Sequence, residues 1–205
     1  MITVPHTAHA EQASAFCGRE KNDVITHEEV FLIALARCSS RVAIIERVSL
    51  LVMLLEIENS FSPPVELTGM LLAAACLESR YNANAKGDHK FSKRRKPKAI
   101  GLLQIWPWAI RANEKRTGKK LVRIDPLQSA IFWMDHIKRQ LPRVKRVCGF
   151  KLESRLWSAA WVTAIRAPKP GGRCYERSKH ERLLHKWHRE IRKKRTACLP
   201  SNLSR

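Results

Sequence analysis

A short, strongly apolar run near the middle of the chain sets the tightest limit on how this protein can fold. The run reads Leu71-Leu72-Ala73-Ala74-Ala75-Cys76-Leu77, and it follows Pro63 and Pro64, which are tolerated in a first helical turn. With Ser62 as N-cap, this pattern predicts a helix that continues to about Arg80. Its three consecutive alanines permit close helix packing. The predicted core positions are Leu67, Met70, Leu71, Ala74, Ala75 and Leu77.

Helical patterns also account for most of the remaining sequence. Thr26 and Glu29 have the spacing of a capping box, which predicts a helix toward Arg37. Further helices are predicted for residues 41–58, 107–112, 125–141, 152–165 and 175–195. In the first of these, the apolar residues at intervals of three and four are Ile44, Ile45, Val48, Leu51, Val52 and Leu55. No alternating pattern predicts a strand, so the expected fold class is mainly α.

Composition divides the chain into three parts. Residues 1–23 are polar and aperiodic and are expected to be mobile, whereas residues 24–170 are expected to form one domain. Prolines and glycines break the pattern after residue 167, and residues 171–205 are predicted to form a basic helix and tail. The apolar stripe of that last helix comprises Leu183, Leu184, Trp187 and Ile191.

The charge of the chain points to an anionic partner. Lys and Arg total 39 against 18 Asp and Glu, which gives a net charge of +21 and a pI near 10.4. A field of this sign concentrates nucleic acid, acidic lipid head groups or an anionic cell-wall polymer, and charge alone does not choose among them. The apolar fraction of 44% excludes an intrinsically disordered chain.

The cysteines and the apolar segments exclude several other classes. The six cysteines contain no CxxC pair, so zinc is not indicated, and no cofactor or metal is expected. Cys38 and Cys76 lie in apolar runs and are predicted to be buried small hydrophobes, which favours a reducing compartment. The chain does not open with the pattern of a secretory signal. Charged residues interrupt the most apolar segment, residues 42–57, and favour an amphipathic helix over a membrane span.

A carboxylate follows the central apolar run directly, at Glu78. A carboxyl group in apolar surroundings can keep a proton near neutral pH, as the general acid of glycosidic bond cleavage must. The alternative from spacing alone is a surface residue at a helix end, paired with Arg80 or a later lysine.

Two segments around this carboxylate carry a resemblance to a known family. Glu78-Ser79-Arg80-Tyr81-Asn82 and the later Gly101-Leu102-Leu103-Gln104-Ile105 resemble the two signature motifs of soluble lytic transglycosylases and goose-type lysozymes. The resemblance covers residues 63–107 and continues more weakly through the helices that contain Asp125 and Trp161. It implies a lysozyme-like helical domain over residues 24–170 that cleaves the β-1,4 bond between MurNAc and GlcNAc in peptidoglycan. Glu78 would be the catalytic acid, and the implied substrate-binding residues are Ser79, Tyr81, Gln104, Ile105 and Trp161.

The sequence departs from the family pattern at two places. Nine residues after the glutamate, Gly87 stands where the family usually has a substrate-contacting serine. The family's Ala-Tyr-Asn-Ala-Gly motif corresponds here to Ala160-Trp161-Val162-Thr163-Ala164. Trp161 could stack on a sugar ring, but Val162 cannot form a hydrogen bond through its side chain. For Gln104, a sugar contact and an internal cap that orders the loop both remain open.

The chemistry after the first proton transfer depends on a second carboxylate. A lysozyme-type hydrolase uses one to activate water or to shield the oxocarbenium ion, and Asp88 is the candidate. Neighbouring lysines would keep Asp88 ionised, which suits a base and not an acid. The family's transglycosylases instead use the glutamate alone, first as acid and then as base, and form a 1,6-anhydro product.

The basic segments allow further partners. The cationic loop of residues 83–98 is either a solvated surface or a substrate contact, and the C-terminal helix is a solvated helix or a binder of anionic wall, membrane or nucleic acid. If the chain is a peptidoglycan-cleaving enzyme, we expect a phage or prophage product that is made in the cytoplasm and acts in the periplasm or cell wall. It would serve as an endolysin or as a virion component beside other virion proteins. The alternative is a non-catalytic basic virion or nucleic-acid-binding protein that keeps a lysozyme-like fold.

Overall fold

The computed structural model describes residues 24–87, 98–165, 174 and 178–197. Within them the chain is mainly helical, which confirms the predicted fold class. The α-helices of this described part are α1 (His27–Arg37), α2 (Ile44–Phe61), α3 (Met70–Ser79), α4 (Pro107–Thr117), α5 (Pro126–Cys148), α6 (Glu153–Ile165) and α7 (Lys179–Ala197). A 3-10 turn, Val65–Leu67, precedes α3. Two short antiparallel strands, β1 (Lys86–Gly87) and β2 (Ala99–Ile100), pair Lys86 with Ile100 and Gly87 with Ala99.

Local sequence determines where two helices begin. The Thr26 hydroxyl accepts a hydrogen bond from the Glu29 N–H, and the Glu29 carboxylate accepts one from the Thr26 N–H, so the predicted capping box is confirmed. Asp125 caps α5 by accepting a hydrogen bond from the Gln128 N–H at 3.1 Å. Pro126 then occupies the first turn of α5, where its missing N–H costs no hydrogen bond.

Helix α3 lies at the centre of the core, against α1, α2 and α7. Every side chain from Met70 to Ala75 is fully buried. Each buried leucine of this run contributes roughly 2 kcal/mol from removal of apolar surface from water. The predicted core positions before Leu77 are confirmed. Leu77 itself is 45% exposed, so its predicted core position is wrong.

The single helix predicted from Ser62 to Arg80 is wrong, because the chain breaks between α2 and α3. Ser62 does not begin a helix but ends α2 in the left-handed conformation, at φ 50°. Gly69 precedes α3 with φ +90°, and a Cβ there would overlap the Val30 side chain of α1. Glu58 explains why α3 can begin inside the core: its carboxylate accepts hydrogen bonds from the N–H groups of Gly69 at 2.5 Å and Leu71 at 2.7 Å.

The buried face of α2 differs from the predicted face. The buried side chains are Leu50, Leu51, Leu54, Ile57 and Glu58. Ile44, Ile45 and Val52 were predicted to lie inward, yet they are 53%, 79% and 44% exposed. Because apolar residues occur around most of this helix, their spacing did not single out one face. The neighbouring helices decide which side is covered.

Helix α7 docks on α1 and α3 through the predicted stripe, with Leu184, Trp187 and Ile191 buried in the same core cluster. Arg195 near its end donates a hydrogen bond to the fully buried Glu29 at 2.6 Å. Burial raises the pKa of Glu29, but the hydrogen bonds from Arg195 and Thr26 outweigh burial and hold that pKa below its usual value.

Two disulfides lie within the described residues. Cys38 and Cys76 are buried as predicted, and a disulfide joins them at a Cα–Cα distance of 5.9 Å. A second disulfide joins Cys148 to Cys174. Disulfides persist under oxidising conditions, so the structure gives no support to the predicted reducing compartment. Among the described helices none is long and apolar enough to cross a bilayer.

Candidate active site around Glu78

Glu78 lies where the buried helix α3 reaches the protein surface. Its side chain is 29% exposed. The Cys76 disulfide ties this end of α3 to the end of α1. The next residues, Arg80 and Tyr81, both have positive φ, at 53° and 64°, so the chain turns sharply away from the helix axis. The carboxyl group is therefore carried on a rigid, covalently braced helix end.

The partner of this carboxyl group comes from the other end of the described chain. Nε2 of His180, on the first turn of α7, lies 2.7 Å from Oε1 of Glu78. The His180 side chain is only 6% exposed. Among the described residues, Glu78 forms no hydrogen bond or ion pair with Arg80 or with a later lysine, which was the alternative drawn from spacing. The sequence separation of 102 explains why sequence reasoning missed this contact.

Trp161 on α6 supports the other side of His180. Its ring stacks on the imidazole with a centroid separation of 6.1 Å and an interplanar angle of 21°. Trp133 of α5 meets the same indole edge-on at 5.8 Å. Trp161 is fully buried, so no face of it is open to stack on a sugar in this structure. Its observed contacts are those of a core residue behind His180.

Two buried nitrogens in this cluster have no hydrogen-bond partner among the described residues. They are Nδ1 of His180 and Nε1 of Trp161. An unpaired buried polar atom costs about 1–3 kcal/mol, so such atoms are rare in cores. Both atoms lie directly behind the partly exposed Glu78 carboxyl group, at the contact between α6 and α7.

The second motif is hydrogen-bonded to Ala85, three residues after the end of the first motif. The Gly101 N–H donates to the Ala85 carbonyl at 2.9 Å, and the Gln104 side-chain amide donates to the carbonyls of Ala85 and Gly101 at 3.2 and 2.8 Å. Gln104 thus makes the hydrogen bonds of an internal cap, the alternative to a sugar contact. A Cβ on Gly87 would overlap Oε1 of Gln104, so a larger residue there would require the Gln104 side chain to move from these hydrogen bonds.

The remaining predicted site residues lie in different environments. Tyr81 is fully buried and donates its hydroxyl hydrogen to the Leu72 carbonyl, and burial raises the pKa of Tyr81 above its usual range. Ile105 is also buried, so neither side chain is placed to contact a ligand. Ser79 is partly exposed, but its hydroxyl donates back to Ala75 at 3.1 Å. Asp88 and most of the cationic loop lie outside the described residues.

The sequence did contain a signal for His180. Successive intervals along His180, Leu184, Trp187 and Ile191 are four, three and four residues. The histidine therefore continues the buried stripe of α7 toward the start of the helix. A histidine at the end of an apolar stripe is placed to face the core. Within the described residues no group of three metal-ligating side chains is found, and so no metal site is assigned.

The geometry leaves one oxygen of Glu78 free for chemistry. Oε1 is bound by His180, while Oε2 has no hydrogen-bond partner in the described part of the chain and is not among the buried unpaired atoms. A carboxyl group held in this way can donate or accept one proton at a fixed point on the surface. Comparison of the chain with protein-family models, curated proteins and solved structures gives no significant match.

Proposed function

We propose that this protein cleaves the β-1,4 bond between MurNAc and GlcNAc in peptidoglycan, with Glu78 as general acid. The observation that carries this proposal is the Glu78 carboxyl group, which is partly exposed at a rigid helix end, with one oxygen bound by His180 and the other unpaired. The adjoining Gly101–Ile105 turn, which the family resemblance places along the sugar cleft, is hydrogen-bonded to the segment that follows Glu78.

The proposed reaction begins with transfer of the Glu78 proton to the glycosidic oxygen. The bond between that oxygen and C1 of MurNAc breaks, and its electron pair stays on the departing GlcNAc hydroxyl. The Glu78 carboxylate then takes a proton from the nucleophile that attacks C1. If the nucleophile is the muramyl 6-hydroxyl, the product is a 1,6-anhydro sugar; if it is water, the product is a reducing sugar. The first path needs only Glu78, whereas the second is helped by another carboxylate such as Asp88.

Mass spectrometry of fragments released from purified sacculi tests the proposal directly. Wild-type protein should release muropeptides, and Glu78→Gln should reduce the release by about 100-fold or more, since loss of a general acid costs about that much. Glu56→Gln is a matched control, because Glu56 is an exposed glutamate on α2 far from the motifs in sequence. Equal thermal midpoints for all three proteins would show that folding is unchanged. Absence of release by the wild type would refute the proposal.

One observation favours the non-catalytic alternative. The solvent face of α7 carries a row of exposed cations at intervals of three and four, namely Lys179, Arg182, Lys186, Arg189 and Lys193. The neighbouring acid Glu190 is paired with Arg37 on α1. A row of this kind suits a polyanion such as DNA, and binding would weaken steeply with salt. Salt-sensitive binding of duplex DNA, measured by fluorescence anisotropy, together with no release from sacculi, would favour this alternative.

A further inference from the structure

The position of His180 is fixed by its surroundings on two sides. It continues the buried stripe of α7, and its ring stacks on Trp161. Trp161 is in turn held edge-on by Trp133. Rotation of the imidazole away from Glu78 would lose this stacking, so the packing favours the orientation in which Nε2 is directed at Oε1. The contact is therefore a built feature of the α3–α6–α7 junction and not a chance encounter of surface side chains.

The hydrogen-bonding direction at His180 follows from its other nitrogen. Nδ1 is buried and has no partner in the described residues. A proton on Nδ1 would leave a buried N–H donor unpaired, whereas a proton on Nε2 is used in the bond to Glu78. The Nε2–H tautomer is the better one, and it makes His180 the donor and Oε1 the acceptor.

We propose that His180 is a positioning residue that donates its Nε2–H to Oε1 of Glu78 and thereby reserves Oε2 for the proton that is transferred. In the neutral acid, an Oε1 that accepts from His180 is the carbonyl oxygen, so the acid proton resides on Oε2. Oε2 is also the oxygen without a protein partner. Both proton transfers of the reaction would then occur at the same oxygen. This inference rests on the proposed function and adds a residue from the basic C-terminal helix to the site.

Two substitutions separate the hydrogen bond from the packing. His180→Phe keeps an aromatic ring to stack on Trp161 but has no donor, and we expect kcat to fall about 10- to 100-fold with KM and the thermal midpoint close to wild type. His180→Gln returns an N–H near the position of Nε2, and we expect it to recover most of that loss. His185→Gln is the matched control, because His185 lies on the same helix, is 28% exposed and pairs with Glu181 instead. Rates would be measured on soluble, uncrosslinked glycan strands.

A spectroscopic measurement tests the contact without any turnover. In ¹⁵N-labelled full-length protein, the signals of His180 are identified by their loss in His180→Phe. We expect the ¹⁵N shifts of the Nε2–H tautomer in the wild type, and a mixture of tautomers in Glu78→Ala. The Nδ1–H tautomer in the wild type would overturn the inference.

The kinetic outcomes distinguish this inference from the proposed function. An active His180→Phe variant with wild-type kcat would overturn the role of His180 and leave the role of Glu78 intact. A His180→Gln variant no better than His180→Phe would also overturn it, because the donor would then not be the required feature. A wild-type protein without activity would overturn the proposed function and, with it, any catalytic role for the contact.

Discussion

Two buried ionisable side chains that bind backbone groups around the start of α3 should make opposite contributions to the pH dependence of stability, and these contributions should nearly cancel where their pH ranges overlap. Glu58 binds the N–H groups of Gly69 and Leu71, and burial raises the pKa of Glu58 from 4.5 to about 7. Nε2 of His188 donates to the Thr68 carbonyl at 2.8 Å, and burial lowers the pKa of His188 from 6.5 to about 4. The two groups therefore shift in opposite senses.

The sign of each contribution follows from which state binds more protons. Between pH 4.5 and 7, folded protein holds a proton on Glu58 that the unfolded chain has lost, so stability falls as pH rises. Between pH 4 and 6.5, the unfolded chain holds a proton that His188 lacks in the folded protein, so stability rises as pH rises. At about 1.4 kcal/mol per pH unit, each effect amounts to about 3 kcal/mol over its range. Where the two ranges overlap, the slopes are nearly equal and opposite.

Single substitutions should reveal how each residue alone changes the free energy of unfolding with pH. Relative to wild type, Glu58→Gln should gain about 3 kcal/mol of unfolding free energy between pH 4.5 and 7, because the variant no longer has a carboxyl to ionise in the core. His188→Gln keeps a donor for Thr68 and should lose about 3 kcal/mol relative to wild type between pH 4 and 6.5. The double variant should parallel the wild type where the ranges overlap.

Urea denaturation at half-unit pH steps and constant ionic strength measures these differences. The Gln substitutions will also change stability by a constant amount, since an amide offers one acceptor where the Glu58 carboxylate offers two. The test is therefore the slope of the difference and not its absolute value. A difference between variant and wild type that stays constant from pH 4 to 7 would refute the reasoning for that residue.

Three further predictions concern the supports of the site. Gly101→Ala should destabilise the protein by more than about 3 kcal/mol in thermal denaturation, because a Cβ there overlaps a backbone carbonyl, while Gly118→Ala, which has open space and a similar φ, should cost only about 1 kcal/mol; equal costs would contradict the steric argument. Arg195→Ala should cost about 3 kcal/mol at pH 7, because Glu29 remains buried and charged. Since the pKa of Glu29 is lowered in the folded protein, that cost should shrink as pH falls below 4.5, and an equal cost at pH 3 and pH 7 in urea would contradict it. Cys76→Ala should lower the free energy of unfolding by about 2–4 kcal/mol and should leave one more thiol than the wild type to react with iodoacetamide in denaturant, whereas one thiol fewer than the wild type would argue against the disulfide.

Local sequence signals determined much of the helical framework. The capping box at Thr26 and Asp125 followed by Pro126 both depend on side chains within three residues of the helix start, so they can be recognised without knowledge of the fold. The apolar run before Glu78 marks a buried helix for a similar reason, since its side chains are apolar in every direction. The order of residues was therefore enough to predict that this helix is buried and that Glu78 lies near its end.

Features that depend on partners distant in the chain were decided only by the tertiary structure. The need for glycine at position 69 comes from its contacts with Glu58 and Val30, which are distant in the sequence. The buried face of α2 likewise depends on which helices cover it. Tyr81 matched the family's first motif, yet its positive φ turns its side chain into the core.

The carboxyl group at the end of α3 shows the same division. Its place at the end of an apolar helix follows from the order of residues 71–78. Its partner is His180, which comes from α7 and is oriented by Trp161 from α6. The α7 stripe indicates that His180 faces the core, but no local pattern pairs it with Glu78, because packing of the three helices brings together two side chains that are 102 positions apart in the sequence. The sequence by itself determined which carboxyl group to consider, and the packing of α6 and α7 decided which of its oxygens remains free.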